Sequence, residues 1–505
     1  MTTTTRTVFQ ILIAAVLLAG CGTPVVNPVS GRSERSVMDE AAEMAEGQKA
    51  HPQVMAEYGA LDNPRLQAYV NDIGQRLAQR SHRALLKWTF TVLDSAEVNA
   101  FALPGGYIYV TRGMLATLND EADLAGVLGH EIGHVTARHG AQRATREQRA
   151  GLGVFAATLL GVALEGFGVS GAAGLASQVS QGVAASYVAT YSREQESQAD
   201  KLGAEYLARN NLNPRNMIDV IGALKAQERY AADSARAEGR RVPEGGGNYL
   251  ASHPSNDKRL ADITQIAAAY VGSNVGGYAD DGRARYLQAI DGITFGESRA
   301  QGVTRGRHFY HEDLGLAISA PAGWSIDNGA QALAIVNPAG DAGLVMKPVP
   351  AQAGRSHDEV IRNALKPSEG RSERRSLNGL AATHFSGSRR DAQGRAVPIE
   401  VTLVTGPTNQ FYLLQTVARD AAAARRAEAG LREAEGSLRA LSASERAAAR
   451  PWALKMVALP RGGFAELARG SPLPAPAEAQ LRLINGVYAG QGAEPKVGQW
   501  VKVVL

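Results

Sequence analysis

Gly129-His-Glu-Ile-Gly-His134 is the stretch of this chain that carries the most information about its fold. On a helix this spacing places His130 and His134 on one face, with the carboxylate of Glu131 beside them. Two neutral imidazoles so placed are typical ligands of Zn²⁺, which lowers the pKa of water that it binds. A neighbouring carboxylate can take the proton as water attacks an amide. The motif therefore predicts a zinc site with its own general base, suited to peptide-bond hydrolysis.

The residues around this motif predict a helix. Asn119-Asp-Glu-Ala-Asp123 offers an N-cap and an acidic first turn, and Gly140 stands where such a helix would end. Three glycines lie inside it, at Gly126, Gly129 and Gly133. Each costs about 1 kcal/mol relative to Ala, which is explained if another backbone approaches the metal-binding face closely. His139 is interpreted as a helix-end histidine that points away from the site.

A third ligand is predicted in Ser192-Arg-Glu-Gln-Glu196-Ser-Gln-Ala-Asp200. Ser192 and Gln195 form a capping box, so a helix begins just after Ser192. Glu196 and Asp200 then lie one turn apart on one face. One carboxylate can bind zinc, while the other accepts a hydrogen bond from the far nitrogen of a ligand histidine. Taken alone, this helix would be interpreted as a solvated acidic face.

Three motifs in this order resemble those of the HtpX/BepA-type zinc metallopeptidases, the group that also contains the CAAX prenyl proteases. They are the His-Glu-x-x-His motif, the segment from Ser192 to Asp200, and His253-Pro-Ser-Asn-Asp-Lys-Arg259. The run from Asn99 to Gly113 also resembles that family. The resemblance implies one zinc ion per chain, with His130, His134 and Glu196 as ligands, Glu131 as general base and Asp200 as the partner of a ligand histidine.

His253 follows the Gly-rich stretch Arg240-Arg-Val-Pro-Glu-Gly-Gly-Gly247 and is predicted to lie on a flexible segment near the site. Its imidazole either donates a hydrogen bond to the oxyanion formed during hydrolysis or occupies the fourth position of zinc as a reversible inhibitor. A purely structural His-Pro is the third interpretation. Arg259 steadies the same segment, pairs with a substrate carboxylate, or forms an ordinary surface salt bridge.

Leu103-Pro-Gly-Gly106 links Phe101 to the strand Tyr107-Ile-Tyr-Val110 and predicts a hairpin-like unit. The strand with Tyr107 and Tyr109 is either an edge to which substrate adds as another strand, or an interior strand of a small sheet. The two tyrosines are therefore candidate substrate contacts.

The N-terminus resembles a bacterial lipoprotein signal, because Arg6 and a short apolar run precede Leu18-Ala-Gly-Cys21. On this interpretation residues 1–20 are removed, Cys21 carries a lipid, and residues 21–40 form a flexible tether. Gly22 resembles the sorting pattern for the outer membrane, facing the periplasm. A plain secretory signal and an uncleaved anchor are the alternatives. The net charge of +4, without a concentrated basic patch, argues against a nucleic-acid partner.

The 505 residues predict several domains and an α+β fold. Residues 41–270 form a mainly helical gluzincin peptidase domain with a small sheet, in which the apolar stretch 151–191 is either a buried helical hairpin or a segment over the cleft. Residues 271–307 are a linker, and residues 308–445 an α+β accessory domain that weakly resembles PsbP-like domains. Its four histidines lack ligand spacing and are interpreted as structural. Residues 446–505 resemble a small LysM-like module, a type that can bind peptidoglycan, although a structural cap fits equally.

Together these features predict a zinc endopeptidase of the bacterial envelope. The resemblance implies misfolded or stalled envelope proteins as substrates, with peptidoglycan or envelope assembly proteins as further partners. The alternative is a cell-wall-binding or outer-membrane assembly lipoprotein, chaperone-like in action, whose peptidase centre is largely latent because His253 blocks it.

Overall fold

The computed structural model describes residues 22–149, 191–237, 253, 257–274, 276–329, 332–390 and 394–505. The predictions for Cys21, for the apolar stretch up to residue 190 and for the Gly-rich stretch before His253 lie outside these residues. Fourteen α-helices and nineteen strands occur in the described ranges, which confirms the predicted α+β class. No helix in them is long and apolar enough to cross a bilayer.

The chain divides into two compact units. The described parts of the first lie within residues 22–149, 191–293 and 453–505, and those of the second within residues 294–452. The helices of the first unit before its C-terminal segment are α1 (Glu40–Tyr58), α2 (Pro64–Ala78), α3 (Arg112–Thr117), α4 (Glu121–Thr136), α5 (His139–Arg149), α6 (Arg193–Arg209), α7 (Asn216–Ala237), α8 (Asp257–Ser273) and α9 (Arg283–Ile290).

The pair α4 and α6 forms the centre of the first unit. The side chain of Asp120 accepts the Asp123 N–H at the start of α4, and Ser192 and Gln195 form the predicted capping box of α6. A Cβ on Gly129 would lie 3.3 Å from Cα of Gly203 on α6. The predicted close approach of another backbone to the glycine-bearing helix is therefore confirmed.

A three-stranded sheet lies beside these helices, with the order β3 (Thr89–Leu93), β5 (Tyr107–Thr111), β4 (Ala100–Leu103). Strand β5 pairs in parallel with β3 and antiparallel with β4. Because both of its sides are paired, the edge-strand interpretation of the tyrosine-bearing strand is wrong and the interior one holds. The edge on that side is β4.

Two stretches of the chain contain regular structure where a flexible tether and a linker were predicted. Residues 23–36, predicted as flexible tether, form the hairpin β1 (Thr23–Val26) and β2 (Ser33–Ser36). Asn27 holds this hairpin in place, because its amide donates to the Ala137 carbonyl oxygen at 3.2 Å. Residues 271–307, predicted as a linker, contain α9, whose buried Tyr286 donates to the Leu115 carbonyl oxygen.

The second unit is built on a seven-stranded antiparallel sheet. Its order is β10 (Ser325–Asn328), β11 (Leu333–Val336), β12 (Ala342–Pro348), β16 (Phe411–Ala418), β15 (Ala396–Thr405), β14 (Leu380–Arg390), β13 (Glu369–Leu377). A smaller sheet has the order β17 (Arg439–Ala440), β9 (Leu316–Ser319), β8 (His308–His311), β7 (Val303–Arg305). Helices α10 (His357–Val360), α11 (Ala421–Gly436) and α12 (Glu445–Ala448) complete it, together with a π-helix at Ile361–Leu365 and the two-residue strand β6 (Thr294–Phe295).

The C-terminal segment, residues 453–505, belongs to the first unit, so it differs from the separate module predicted for residues 446–505. It contains most of β18 (Trp452–Ala458), then α13 (Gly463–Gly470), α14 (Ala477–Ile484) and β19 (Trp500–Val504), which pairs antiparallel with β18. Lys502 is fully buried, and its Nζ donates to the carbonyl oxygens of Ala116 at 2.9 Å and Leu118 at 2.7 Å. Burial lowers the pKa of Lys502 well below its usual value. The likeness to LysM remains a prediction.

Replacing Lys502 with Ala tests whether the C-terminal segment stabilises the first unit. Two buried carbonyl groups lose their donor, so we expect the free energy of unfolding to fall by roughly 1 to 3 kcal/mol. Urea unfolding followed by circular dichroism measures the change. Lys455→Ala, on the same sheet but with a partly exposed side chain paired to Asp291, is the control and should change stability by less than about 0.5 kcal/mol. Equal effects of the two substitutions would contradict the prediction.

Candidate metal centre

Four buried side chains converge on one point in the first unit. They are His130 and His134 from α4, Glu196 from α6, and His253. Their potential ligand atoms all lie within 4.8 Å of one another, and this is the only such group found in the described part of the chain. The two Nε2 atoms of His130 and His134 are 3.0 Å apart, and Glu196 Oε1 is 3.3 Å from His134 Nε2. The structure thus brings the three predicted ligands together.

Asp200 fixes the orientation of His130. The His130 Nδ1 lies 3.0 Å from Asp200 Oδ1, one turn along α6 from Glu196. Since a carboxylate can only accept, Nδ1 carries the hydrogen and Nε2 keeps its lone pair. Burial lowers the pKa of His130, but the hydrogen bond to Asp200 and the charges of Glu196 and Asp200 outweigh it and raise the pKa. Asp200 lies where the sequence predicted it, beside a ligand histidine.

Arg259 is buried, so its interpretation as a surface salt bridge is wrong. Its Nε and Nη2 donate to both oxygens of Asp200 at 2.8 Å, and Nη1 is 2.9 Å from Glu196 Oε2. Nη1 also donates to the main-chain oxygen of His253 at 3.2 Å. Arg259 therefore compensates the negative charge of two buried carboxylates and restrains the main chain of His253.

Glu131 is completely buried next to these ligands. Its Oε1 lies 3.7 Å from His253 Nε2. A carboxylate held beside a metal ligand, in a region of low dielectric constant, is positioned for proton transfer. Its role as general base stays a prediction.

The interpretation of His139 as a residue that points away is wrong. Helix α4 ends at Thr136, not near Gly140, because Arg138 adopts φ +60° and turns the chain before α5 begins. This turn brings His139 Nδ1 to 2.9 Å from His134 Nδ1. Burial lowers the pKa of His139 to about 4, so its ring is neutral at pH 7.

Tyr191 is a second residue that the sequence did not reveal. Its ring stacks on that of His134, with centroids 3.9 Å apart and planes inclined by 27°. Nothing in its sequence context distinguishes it from a core tyrosine. The candidate substrate contacts Tyr107 and Tyr109 instead contact His51 on α1, which stacks on Tyr107 and lies 2.7 Å from the Tyr109 hydroxyl.

The histidines of the second unit form hydrogen bonds of a structural kind. His308 contacts Ser319, His311 the Ala300 carbonyl, His357 both Thr383 and Thr405, and His384 Thr402. The only candidate metal cluster of the described residues lies elsewhere.

The donor set of the first unit fits one zinc ion. Imidazole nitrogens and a single carboxylate are ligands that Zn²⁺ prefers, and a buried arrangement with a carboxylate behind a histidine is typical of zinc sites in proteins. Two histidines on one helix, an acidic residue on a second helix and the adjacent carboxylate of Glu131 define a site of the zinc-metallopeptidase class.

Residues 64–267 match Peptidase family M48, and this part of the chain is a Peptidase family M48 domain. The predicted zinc-metallopeptidase class is thereby confirmed. The match covers the three-stranded sheet of β3, β4 and β5, the helices α4 and α6, and all four clustered side chains.

Relatives with curated names align with about half of the chain. The beta-barrel assembly-enhancing protease of Yersinia pestis is 28% identical over 268 residues, which are 51% of this chain and 52% of that protein. The protein of the same name from Escherichia coli K12 is 28% identical over 244 residues, 48% and 47% of the two chains. The mitochondrial metalloendopeptidase OMA1 of Schizosaccharomyces pombe is 29% identical over 242 residues, 47% and 65%. The chain thus spans about half the length of the first two relatives.

Asp200→Asn tests the link between Asp200 and the metal ligand. The amide is a weaker acceptor for His130 Nδ1 and loses the ion pair with Arg259, so we expect zinc affinity to fall by about 10- to 100-fold. Competition with a chromogenic chelator measures the affinity, and circular dichroism checks the fold. Asp262→Asn removes an exposed carboxylate paired to Lys258 and should leave the affinity unchanged. An unaltered affinity in the folded Asp200→Asn protein would refute the assignment.

Proposed function

We propose that this protein is a zinc-dependent endopeptidase. The observation that carries the proposal is the buried convergence of His130, His134 and Glu196 beside Glu131, inside a Peptidase family M48 domain. Burial restricts water, so the charged groups act through a low dielectric constant and stay in fixed positions.

Zinc, when bound, polarises a substrate carbonyl and makes water more acidic. Glu131 accepts the proton of the attacking water and delivers it to the amine that leaves as the peptide bond breaks. His130 and Glu196 hold their donor atoms in place through Asp200 and Arg259.

We assign substrate binding to the edge strand β4 rather than to the tyrosines of β5. Strand β4 packs against α4, and Ala102 and Leu103 line a small cavity together with His134. An extended peptide that adds to β4 gains main-chain hydrogen bonds that do not depend on its side chains. This mode suits an enzyme that cleaves varied, partly unfolded chains.

The position of His253 supports a latent form of the enzyme. Its Nδ1 lies 3.0 Å from Glu196 Oε1 and 3.3 Å from His130 Nε2, so the ring is placed as a fourth ligand. A protein ligand in that position excludes the water and substrate that a catalytic zinc site must admit. Of the roles predicted for His253, the geometry supports the inhibitory one.

The proposed substrates are misfolded or stalled proteins of the bacterial envelope. The names of the Yersinia and Escherichia relatives, which refer to beta-barrel assembly, support this class. The signal-like N-terminus supports a lipid on Cys21 and a position at the outer membrane, facing the periplasm. The second unit and the C-terminal segment are proposed to contact envelope assembly proteins or peptidoglycan.

Glu131→Gln separates catalysis from metal binding. The amide cannot accept the proton, so we expect the rate of casein cleavage by the purified full-length protein to fall by about 10²- to 10⁴-fold. Its zinc content should remain one ion per chain, because Glu131 is not among the clustered ligands. Glu194→Gln makes the same chemical change at an exposed position of α6 and is the control. Undiminished cleavage by the Glu131 variant would reject the proposed mechanism.

His253→Ala tests latency. If the ring occupies the fourth position, its removal should raise the rate of casein cleavage several-fold while zinc stays bound through the remaining three ligands. His308→Ala, in the second unit, is the matched control. A lower rate would contradict latency and indicate that the ring stabilises the oxyanion. An unchanged rate would also contradict latency and indicate a purely structural role.

A further inference from the structure

We infer that His139 is a positioning residue of the metal centre, which accepts a hydrogen bond from His134 Nδ1 and so directs the His134 Nε2 lone pair towards the metal. The inference rests on the proposed zinc site. It identifies the partner of the second ligand histidine, a position that the sequence motifs leave unassigned.

Two hydrogen bonds in series determine which ring nitrogen of each histidine carries the hydrogen. His139 Nδ1 lies 2.9 Å from His134 Nδ1, and His139 Nε2 lies 3.0 Å from the side-chain oxygen of Gln198 on α6. An amide oxygen only accepts, so His139 Nε2 carries the hydrogen. With that hydrogen on Nε2, the neutral form of the ring has its lone pair on Nδ1, where it can accept the hydrogen of His134 Nδ1.

The reverse arrangement is unfavourable at both ends. A hydrogen on His139 Nδ1 would leave its Nε2 lone pair facing the oxygen of Gln198, two acceptors in contact. It would also place the His134 hydrogen on Nε2, which lies 3.0 Å from His130 Nε2 and 3.3 Å from Glu196 Oε1. A protonated Nε2 cannot bind a metal.

The remaining surroundings of the two rings hold them in place. His139 is fully buried and His134 nearly so. Tyr191 stacks on one face of the His134 ring, and the rings of His134 and His139 meet edge to face, with centroids 4.9 Å apart. A hydrogen bond at Nδ1 and a stacked ring therefore fix both the rotation and the tautomer of His134.

A neutral partner also balances the charge of the site. Glu131, Glu196 and Asp200 are buried carboxylates, and Arg259 is the buried cation that pairs with two of them. One Zn²⁺ brings these charges to zero. A carboxylate at position 139, the more usual partner of a ligand histidine, would leave an uncompensated buried negative charge, which is costly. Histidine supplies the acceptor without that charge.

The experiment measures zinc affinity and histidine tautomers in the purified full-length protein. His139→Phe keeps an aromatic ring but removes the acceptor, and we expect zinc affinity to fall about 10- to 100-fold. His139→Gln restores an acceptor oxygen and should recover most of the affinity. His357→Phe, which removes a ring bonded at both nitrogens in the second unit, should leave the affinity unchanged.

Long-range ¹H–¹⁵N correlation spectra of ¹⁵N-histidine-labelled protein give the tautomers directly. We expect His139 protonated on Nε2 and His134 on Nδ1. Should His139→Phe fail to fold, Gln198→Leu removes only the terminal acceptor and should still weaken zinc binding several-fold. A His139 protonated on Nδ1, or a folded His139 variant with wild-type zinc affinity, would overturn the inference.

Neither readout depends on proteolysis. If Glu131→Gln cleaves casein normally while the His139 variants lose zinc affinity, the proposed mechanism fails and the positioning role stands. If the Glu131 variant is inactive and the His139 variants bind zinc normally, the positioning role fails and the proposed mechanism stands.

Discussion

The close contact between α4 and α6 is the constraint on which the metal centre depends. The backbones meet at glycines: a Cβ on Gly129 would lie 3.3 Å from the Cα of Gly203, and a Cβ on Gly203 would lie 3.2 Å from the His130 backbone nitrogen. A Cβ at either position would force the facing backbone to move by a few tenths of an ångström. Each glycine weakens its helix by about 1 kcal/mol, and burial of nearly all of α4 offsets this cost.

Arg259 makes hydrogen bonds of unequal strength to the groups around it. Two charge-assisted bonds join Arg259 to Asp200, and a third contact reaches Glu196. A longer bond of 3.2 Å to an uncharged carbonyl joins it to His253. Bonds to carboxylates are roughly twice as strong as neutral ones. Arg259 thus binds the carboxylates of α6 more strongly than it binds the main chain of His253.

Local patterns in the sequence were sufficient for the helices that carry the ligands, because capping residues and helical spacing act over a few neighbouring residues. No local pattern indicates strand β13, because its charged residues are exposed almost throughout and show no apolar face. His139 was misplaced because a non-glycine residue, Arg138, takes a left-handed conformation that no sequence signal announces. Lys502 alternates with valines as a solvent-facing residue would, yet it is buried.

Buried basic side chains from distant parts of the chain contact the C-terminal end of α4 and the segment that precedes its first turn. At its C-terminal end, Arg83 donates to the Val135 carbonyl oxygen at 3.1 Å and pairs with Glu43 at 2.9 Å. Just before its first turn, Lys502 donates to two carbonyl groups of the preceding segment. These hydrogen bonds restrain the C-terminal end of α4 and the segment that leads into it. The C-terminal segment thus helps to position the metal ligands, although none of its residues belongs to the cluster that binds the metal.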